Sequence, residues 1–166
     1  MRSKRSRYRA RYRRPSVTGN VSERRRYGLC RLRLLLHLYG VHDPCALRQS
    51  DAVCSALQLI NFWQDISVDH ARGRHYLPAD ALSRHGLTLA DFAGPGEAAV
   101  QARCQALVAE LCAQAHALMQ QGAPLARRIP GRAGWELRLV VQGGLRILEK
   151  IAATGHRSWL QRPTVG

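Results

Sequence analysis

Aromatic residues are scarce in this chain, making up 6% of a sequence that is 46% apolar. Runs of β-branched residues are rare as well, so neither a sandwich nor a barrel of strands is expected. The five cysteines (Cys30, Cys45, Cys54, Cys104 and Cys112) are odd in number and include no C-x-x-C pair. That argues against both a zinc site and a disulfide framework, and suits a reducing cytosol. No uninterrupted apolar run approaches the ~18 residues that a spanning helix needs. The N-terminus is basic but is not followed by an apolar segment, so no secretory signal is read there. Acids are few: 11 Asp and Glu face 26 Lys and Arg, a formal net charge of +15.

That excess is confined to one segment. Residues 1–33 hold thirteen of the basic residues and a single acid, Glu23, whereas the rest of the chain is nearly neutral. Up to residue 28 the sequence alternates Arg with Tyr and Ser and has no hydrophobic period, so alone it cannot offset its ordering entropy. The chain therefore divides into a basic segment, 1–32, expected to be disordered or non-native, and a helical body, 33–166.

The body is rich in Leu, Ala, Gln and Arg, which favours helices. Leu34, Leu35, Leu36 and Leu38 read as the last turns of a buried helix ended by Gly40. Asp43 and Pro44 supply an N-cap and a first-turn proline. Helical sequence then runs to Arg72, with an early break near Ser50, and stops at Gly73. A short helix is expected over 79–85, and one more turn capped by Thr88 through Phe92. Val100, Cys104, Leu107, Val108, Leu111, Cys112, Ala115, Leu118 and Met119 form one apolar stripe at helical spacing, ended by Gly122 and Pro124. The last helix, 133–153, is apolar on most sides, which predicts a central position. Gly143 and Gly144 within it cost ~1 kcal/mol each against Ala, so a close neighbour or a ligand is expected there. The predicted fold class is all-α.

The chemistry-bearing stretch is Gln58 to Pro78. At about 100° per residue, Gln58, Asn61, Asp65 and Asp69 share one narrow stripe that rises about 16 Å. Leu59, Ile60, Trp63 and Ile66 point elsewhere, into packing. Asp65 and Asp69 are the only acids in the chain at i, i+4 spacing. Two such carboxylates repel by a few tenths of a kcal/mol, a cost that a cation removes. An acidic pair on a helix is ordinarily a solvated surface, but here the rest of the helix is strongly apolar. Hard oxygen ligands with an amide one turn earlier suit Mg²⁺ shared with a diphosphate. Arg72, Arg74, His75 and Tyr76 follow at once as donors for phosphate oxygens.

Gln58, Asn61, Asp65, Asp69, Gly73, Arg74, Tyr76 and Pro78 match, position by position, the second aspartate-rich motif of squalene and phytoene synthases. The chain resembles that family, and Gln142 to Lys150 looks like its last core helix. Asn61-Phe62-Trp63-Gln64-Asp65 is closest to the hydroxysqualene synthase branch of bacterial hopanoid biosynthesis; most relatives carry Arg where this chain has Gln64. The resemblance implies an isoprenoid synthase fold, present in part, with Asn61, Asp65 and Asp69 as Mg²⁺ ligands. It implies catalytic roles for Asp65, Asp69, Arg74 and Tyr76. It also implies substrate contacts from Gln58, Asn61, Phe62, Arg72, Arg74, Tyr76, Gly143 and Gly144, the two glycines leaving room for a prenyl chain. The implied substrate is presqualene or farnesyl diphosphate, and the implied product hydroxysqualene.

The family's first aspartate-rich motif has no counterpart, since Glu23, Asp43 and Asp51 are the only acids before Asp65. Residues 1–32 are accordingly expected to be a frame or start artefact, and the body a C-terminal part of the family's domain. Attraction of the basic segment to a membrane surface ranks second and nucleic-acid binding third. The expected location is cytoplasmic, with contact to the inner face of the membrane if the segment binds lipid. An inactive fragment, or a basic binding protein on a helical scaffold, stands as the alternative to an enzyme.

Overall fold

The computed structural model describes residues 32–164, and every regular element among them is helical. The elements are α1 (32–38), α2 (Pro44–Gln64), α3 (Ile66–Ala71), α4 (Ala79–Arg84), α5 (Ala98–Gly122), α6 (Leu125–Arg128) and α7 (Gly131–Ala153). A 3-10 turn, Leu89–Phe92, lies between α4 and α5. The expectations for residues 1–31 fall outside the described residues.

Local chemistry sets most of these boundaries. Asp43 caps α2 by accepting from the amides of Cys45 at 2.9 Å and Ala46 at 3.1 Å. Those amide bonds, the Cys45 one foremost, and the nearby Arg128 hold the Asp43 carboxyl below the usual carboxylate range. The Arg128–Asp43 ion pair also ties the end of α6 to the start of α2. Gly73 and Gly86 have φ of +66° and +60°, the left-handed conformation that ends a helix and that a Cβ disfavours. Thr88 and Asp91 form a reciprocal capping box around the 3-10 turn.

The principal seam joins α2 to α5, with α7 laid across both. Val53 and Ile60 of α2, Leu107, Val108 and Met119 of α5, and Ile151 of α7 are essentially inaccessible. Each such side chain contributes ~1.5–3 kcal/mol of apolar burial. Gly122 permits the closest approach: a Cβ there would stand 2.5 Å from Val53 Cγ2 and 2.7 Å from the Gln49 carbonyl oxygen. Cys104 and Cys112 are buried in the stripe of α5, and loss of hydration pushes their thiols up to about 11 and about 12. They act as small hydrophobes.

Four expectations need correction. The leucine-rich helix α1 is not buried as a whole: Leu36 is inaccessible, but Leu34 and Leu38 are 62% and 74% exposed, because the described neighbours cover only one side of it. The long helix does not break near Ser50, which is fully buried inside α2; it breaks at Asp65, where φ is −99° and ψ 15°. No Gly or Pro marks that point. It is where the C-terminal segment docks, so the cause is tertiary and not local propensity. Pro124 does not simply end α5 but leads into α6, a short helix the sequence did not announce. Finally, α7 is not central. Leu137, Val141, Gly144, Leu148 and Ile151 are buried, while Trp135, Leu139 and Val140 are exposed. None of the described helices is long and apolar enough to cross a membrane.

Candidate active site

Asn61, Asp65 and Asp69 remain one turn apart despite the break. The Asp65 amide donates to the Asn61 carbonyl at 3.0 Å, and the Asp69 amide to the Asp65 carbonyl at 2.8 Å. The one-turn step between these three positions is thus preserved while the helix label changes from α2 to α3. The Asp69 carbonyl then accepts from the amides of Arg72 at 3.0 Å and Arg74 at 2.8 Å, and Gly73 turns the chain back. That turn brings the Arg74 guanidinium to 4.0 Å from the Asp69 carboxylate.

The expected residues do not all occupy the same kind of place. Asn61, Arg72 and Arg74 are exposed, whereas Gln58, Asp65, Asp69 and Tyr76 are half-buried. Phe62 is buried and stacks on the Tyr76 ring, with centroids 4.1 Å apart and planes within 13°. It supports Tyr76 from below and does not open onto solvent. Asp69, Arg74, His75 and Tyr76 rim a cleft floored by Phe62, Trp63, Ile66 and Phe92. The two glycines part company. Gly144 is buried, and a Cβ there would meet Met119 Cε at 2.8 Å, Leu57 Cδ2 at 3.2 Å and Ile60 Cδ1 at 3.3 Å. The room it leaves is filled by protein. Gly143 is exposed, with nothing within 4 Å of a Cβ.

These contacts fix how α7 lies relative to the acidic stripe. Leu57 and Ile60, which meet Gly144, adjoin Gln58 and Asn61 around α2. On α7, the residues turned toward α5 (Leu145, Leu148 and Ala152) lie on the far side of Gly144 from Val140 and Gly143. The acidic stripe and the apolar arc of α7 therefore open on the same side of the molecule.

Electrostatically the stripe is adverse. Asp65 is the C-cap of a 21-residue helix that has no basic residue in its last turn, while Asp69 lies in the first turn of α3. The negative end of the α2 dipole disfavours the Asp65 carboxylate by ~0.3–1 kcal/mol. A cation is the remedy, and besides Arg74 near Asp69 a second protein cation is present: Arg162 Nε donates to Asp65 Oδ1 at 2.5 Å. Sequence reading missed Arg162, because an arginine 97 residues away from its partner belongs to no local pattern. It also left Gln64 unexplained. The Gln64 side chain is buried and donates through Nε2 to the Pro163 carbonyl at 2.8 Å, fastening the same C-terminal segment.

The donor set can be tested against Mg²⁺. Among the described residues, no group of three or more His, Cys, Asp and Glu converges to hold a metal. Mg²⁺, however, is commonly held by one or two carboxylates together with substrate phosphate oxygens. Two carboxylates and an amide oxygen at one-turn steps fit a metal shared with a substrate. They do not fit a closed protein cage.

Comparison with known proteins leads the same way. The family model for squalene/phytoene synthase matches residues 29–166. The phytoene synthase of Thermus thermophilus is 35% identical over 102 residues, covering 61% of this chain and 34% of that protein. The presqualene diphosphate synthase of Rhodopseudomonas palustris is 28% identical over 123 residues, 74% of this chain and 43% of that one. The crystal structure of squalene synthase HpnC from Alicyclobacillus acidocaldarius superposes with a TM-score of 0.68 at 33% identity. It covers 82% of this chain and 51% of its own. The chain thus spans about half the length of that structure and less of the curated relatives. A match over so much of the described body, on a fold with the same helical architecture, settles its descent: the chain belongs to the squalene/phytoene synthase family.

Proposed function

We propose that this chain binds a prenyl diphosphate through Mg²⁺ held by Asp65, Asp69 and Asn61, in the ionisation of presqualene diphosphate, with diphosphate leaving and water capturing the cation and losing a proton to give hydroxysqualene. The observation that carries the reading is the Asn61–Asp65–Asp69 ladder of one-turn steps, on the open side, followed directly by Arg72 and Arg74. Bound there, Mg²⁺ would neutralise charge developing on the departing diphosphate. In this reading Arg74 and Arg72 donate to phosphate oxygens, and the stack of Tyr76 on Phe62 supports a fixed ring orientation there. The arc of Val140 and Gly143 offers an apolar surface for the hydrocarbon. Farnesyl diphosphate carries the same headgroup and is bound by the same residues in this reading.

The test is calorimetric titration of the full chain with inorganic diphosphate, with and without Mg²⁺. Affinity is expected only with Mg²⁺, and Asp65→Ala is expected to weaken it at least ~30-fold with unchanged helicity, since a charged ligand contact is lost. Affinity independent of both Mg²⁺ and Asp65 would refute the metal role. Incubation with presqualene diphosphate and analysis of extracted lipid then separates turnover from binding. Binding without turnover is the second reading, favoured because Asp65 and Asp69 are the only acidic pair in the sequence at this spacing. Ionisation calls for charge stabilisation on every side of the leaving group.

A further inference from the structure

The C-terminal segment is fastened to the helical body at three points. Trp159 is buried, with its ring edge against Phe92 at a centroid distance of 5.5 Å. Gln64 Nε2 donates to the Pro163 carbonyl at 2.8 Å. Between those anchors, Arg162 reaches Asp65. Two anchors of different chemistry on either side of one arginine restrict where its guanidinium can go. Neither anchor involves the acidic pair, yet together they deliver a positive charge to the carboxylate that the helix dipole most disfavours.

We propose that Arg162 is a built-in counter-ion for Asp65, which the first divalent cation must displace, and that Gln64 is the positioning residue that keeps it there. The inference rests on the metal-binding reading of Asp65 given above. A carboxylate engaged by a guanidinium at 2.5 Å offers that oxygen to a metal only after the guanidinium leaves. The pair is partly open to solvent, the side chains being 45% and 30% exposed. Such a bridge is weak, so it offsets the Asp65 charge without blocking it. It also accounts for Gln64 itself: a neutral amide donates to Pro163, whereas an arginine there would bring a second full charge beside Asp65. Displacement of Arg162 frees one contact of the segment, while Trp159 and Gln64 keep it docked.

The experiment is titration of the full chain with Mn²⁺, followed by electron paramagnetic resonance in the absence of diphosphate, and repeated with Mg²⁺ by competition. Arg162→Gln is expected to bind the metal roughly two- to fivefold more tightly than the unmodified chain. Arg132→Gln, which removes an equal charge from the start of α7, should leave affinity unchanged. Gln64→Leu should move affinity in the same direction as Arg162→Gln. It should also speed amide hydrogen exchange across 158–163, a readout that does not depend on turnover. Metal added to the unmodified chain should speed exchange near residue 162. Equal or weaker metal binding by Arg162→Gln, with metal binding by the unmodified chain intact, would overturn the inference and leave the metal site standing. Absence of metal binding in every variant, with diphosphate present or not, would overturn both.

Discussion

The two sides of α2 could hardly differ more. Toward α5 it is a closed seam, with Val53, Ile60, Leu107 and Met119 inaccessible and Gly122 drawn in until no Cβ would fit. On the other side lie Asn61, Asp65 and Asp69, flanked by the open arc of α7 with Trp135, Leu139 and Val140 exposed. The seam accounts for the fold by packing alone. The open side gains little from packing and carries the acidic pair. Packing and the proposed chemistry thus fall on opposite sides, and substitutions should sort accordingly.

The largest effect is expected at the seam. Gly122→Ala places a methyl against the Gln49 carbonyl and the Val53 backbone, atoms that cannot swing aside. A loss of about 3 kcal/mol or more in unfolding free energy should follow, read by urea denaturation. Next comes a pair on α7 that differs only in facing. Leu137→Ala, at 6% exposure, should cost about 2–4 kcal/mol, whereas Leu139→Ala, at 53%, should fall within about 0.5 kcal/mol. Equal losses at the two positions would mean that something covers the arc in solution. The smallest and sharpest contrast lies between adjacent glycines. Gly143→Ala should stabilise by up to ~1 kcal/mol, since helix propensity rises and nothing is met. Gly144→Ala should gain nothing or lose about 1 kcal/mol, because its neighbours are the movable ends of Met119, Leu57 and Ile60.

Much of this division was legible in the sequence. The apolar period from Val100 to Met119 located the seam-forming stripe of α5, and the caps at Asp43, Gly73, Gly86 and Thr88 located the ends of shorter elements. The acidic stripe was legible because helical spacing is local. What the sequence hid is what depends on partners. The break at Asp65 carries no local breaker and follows from docking of a segment almost a hundred residues away. The one-sidedness of α7 was hidden because apolar residues on both faces look alike until a neighbour covers one of them. Gly143 and Gly144 were indistinguishable for the same reason. Arg162 and Gln64 were invisible as a unit because their relation to Asp65 exists only after folding.

Both ends of the described body come to rest on α2. Arg33 of α1 pairs with Asp51 through Nε at 2.7 Å, and Arg162 pairs with Asp65. Fourteen residues of helix separate the two acids, about 20 Å at ~1.5 Å per residue. The domain therefore closes on itself as a loop does, with α2 as the bar across which its ends are held. A Gly/Ser linker of roughly a dozen residues would bridge that gap. The order of the helices along the chain is then separable from their order in space. New termini cut into the exposed turn at Gly94 to Gly96 would leave the seam, the stripe and the segment that serves it in place.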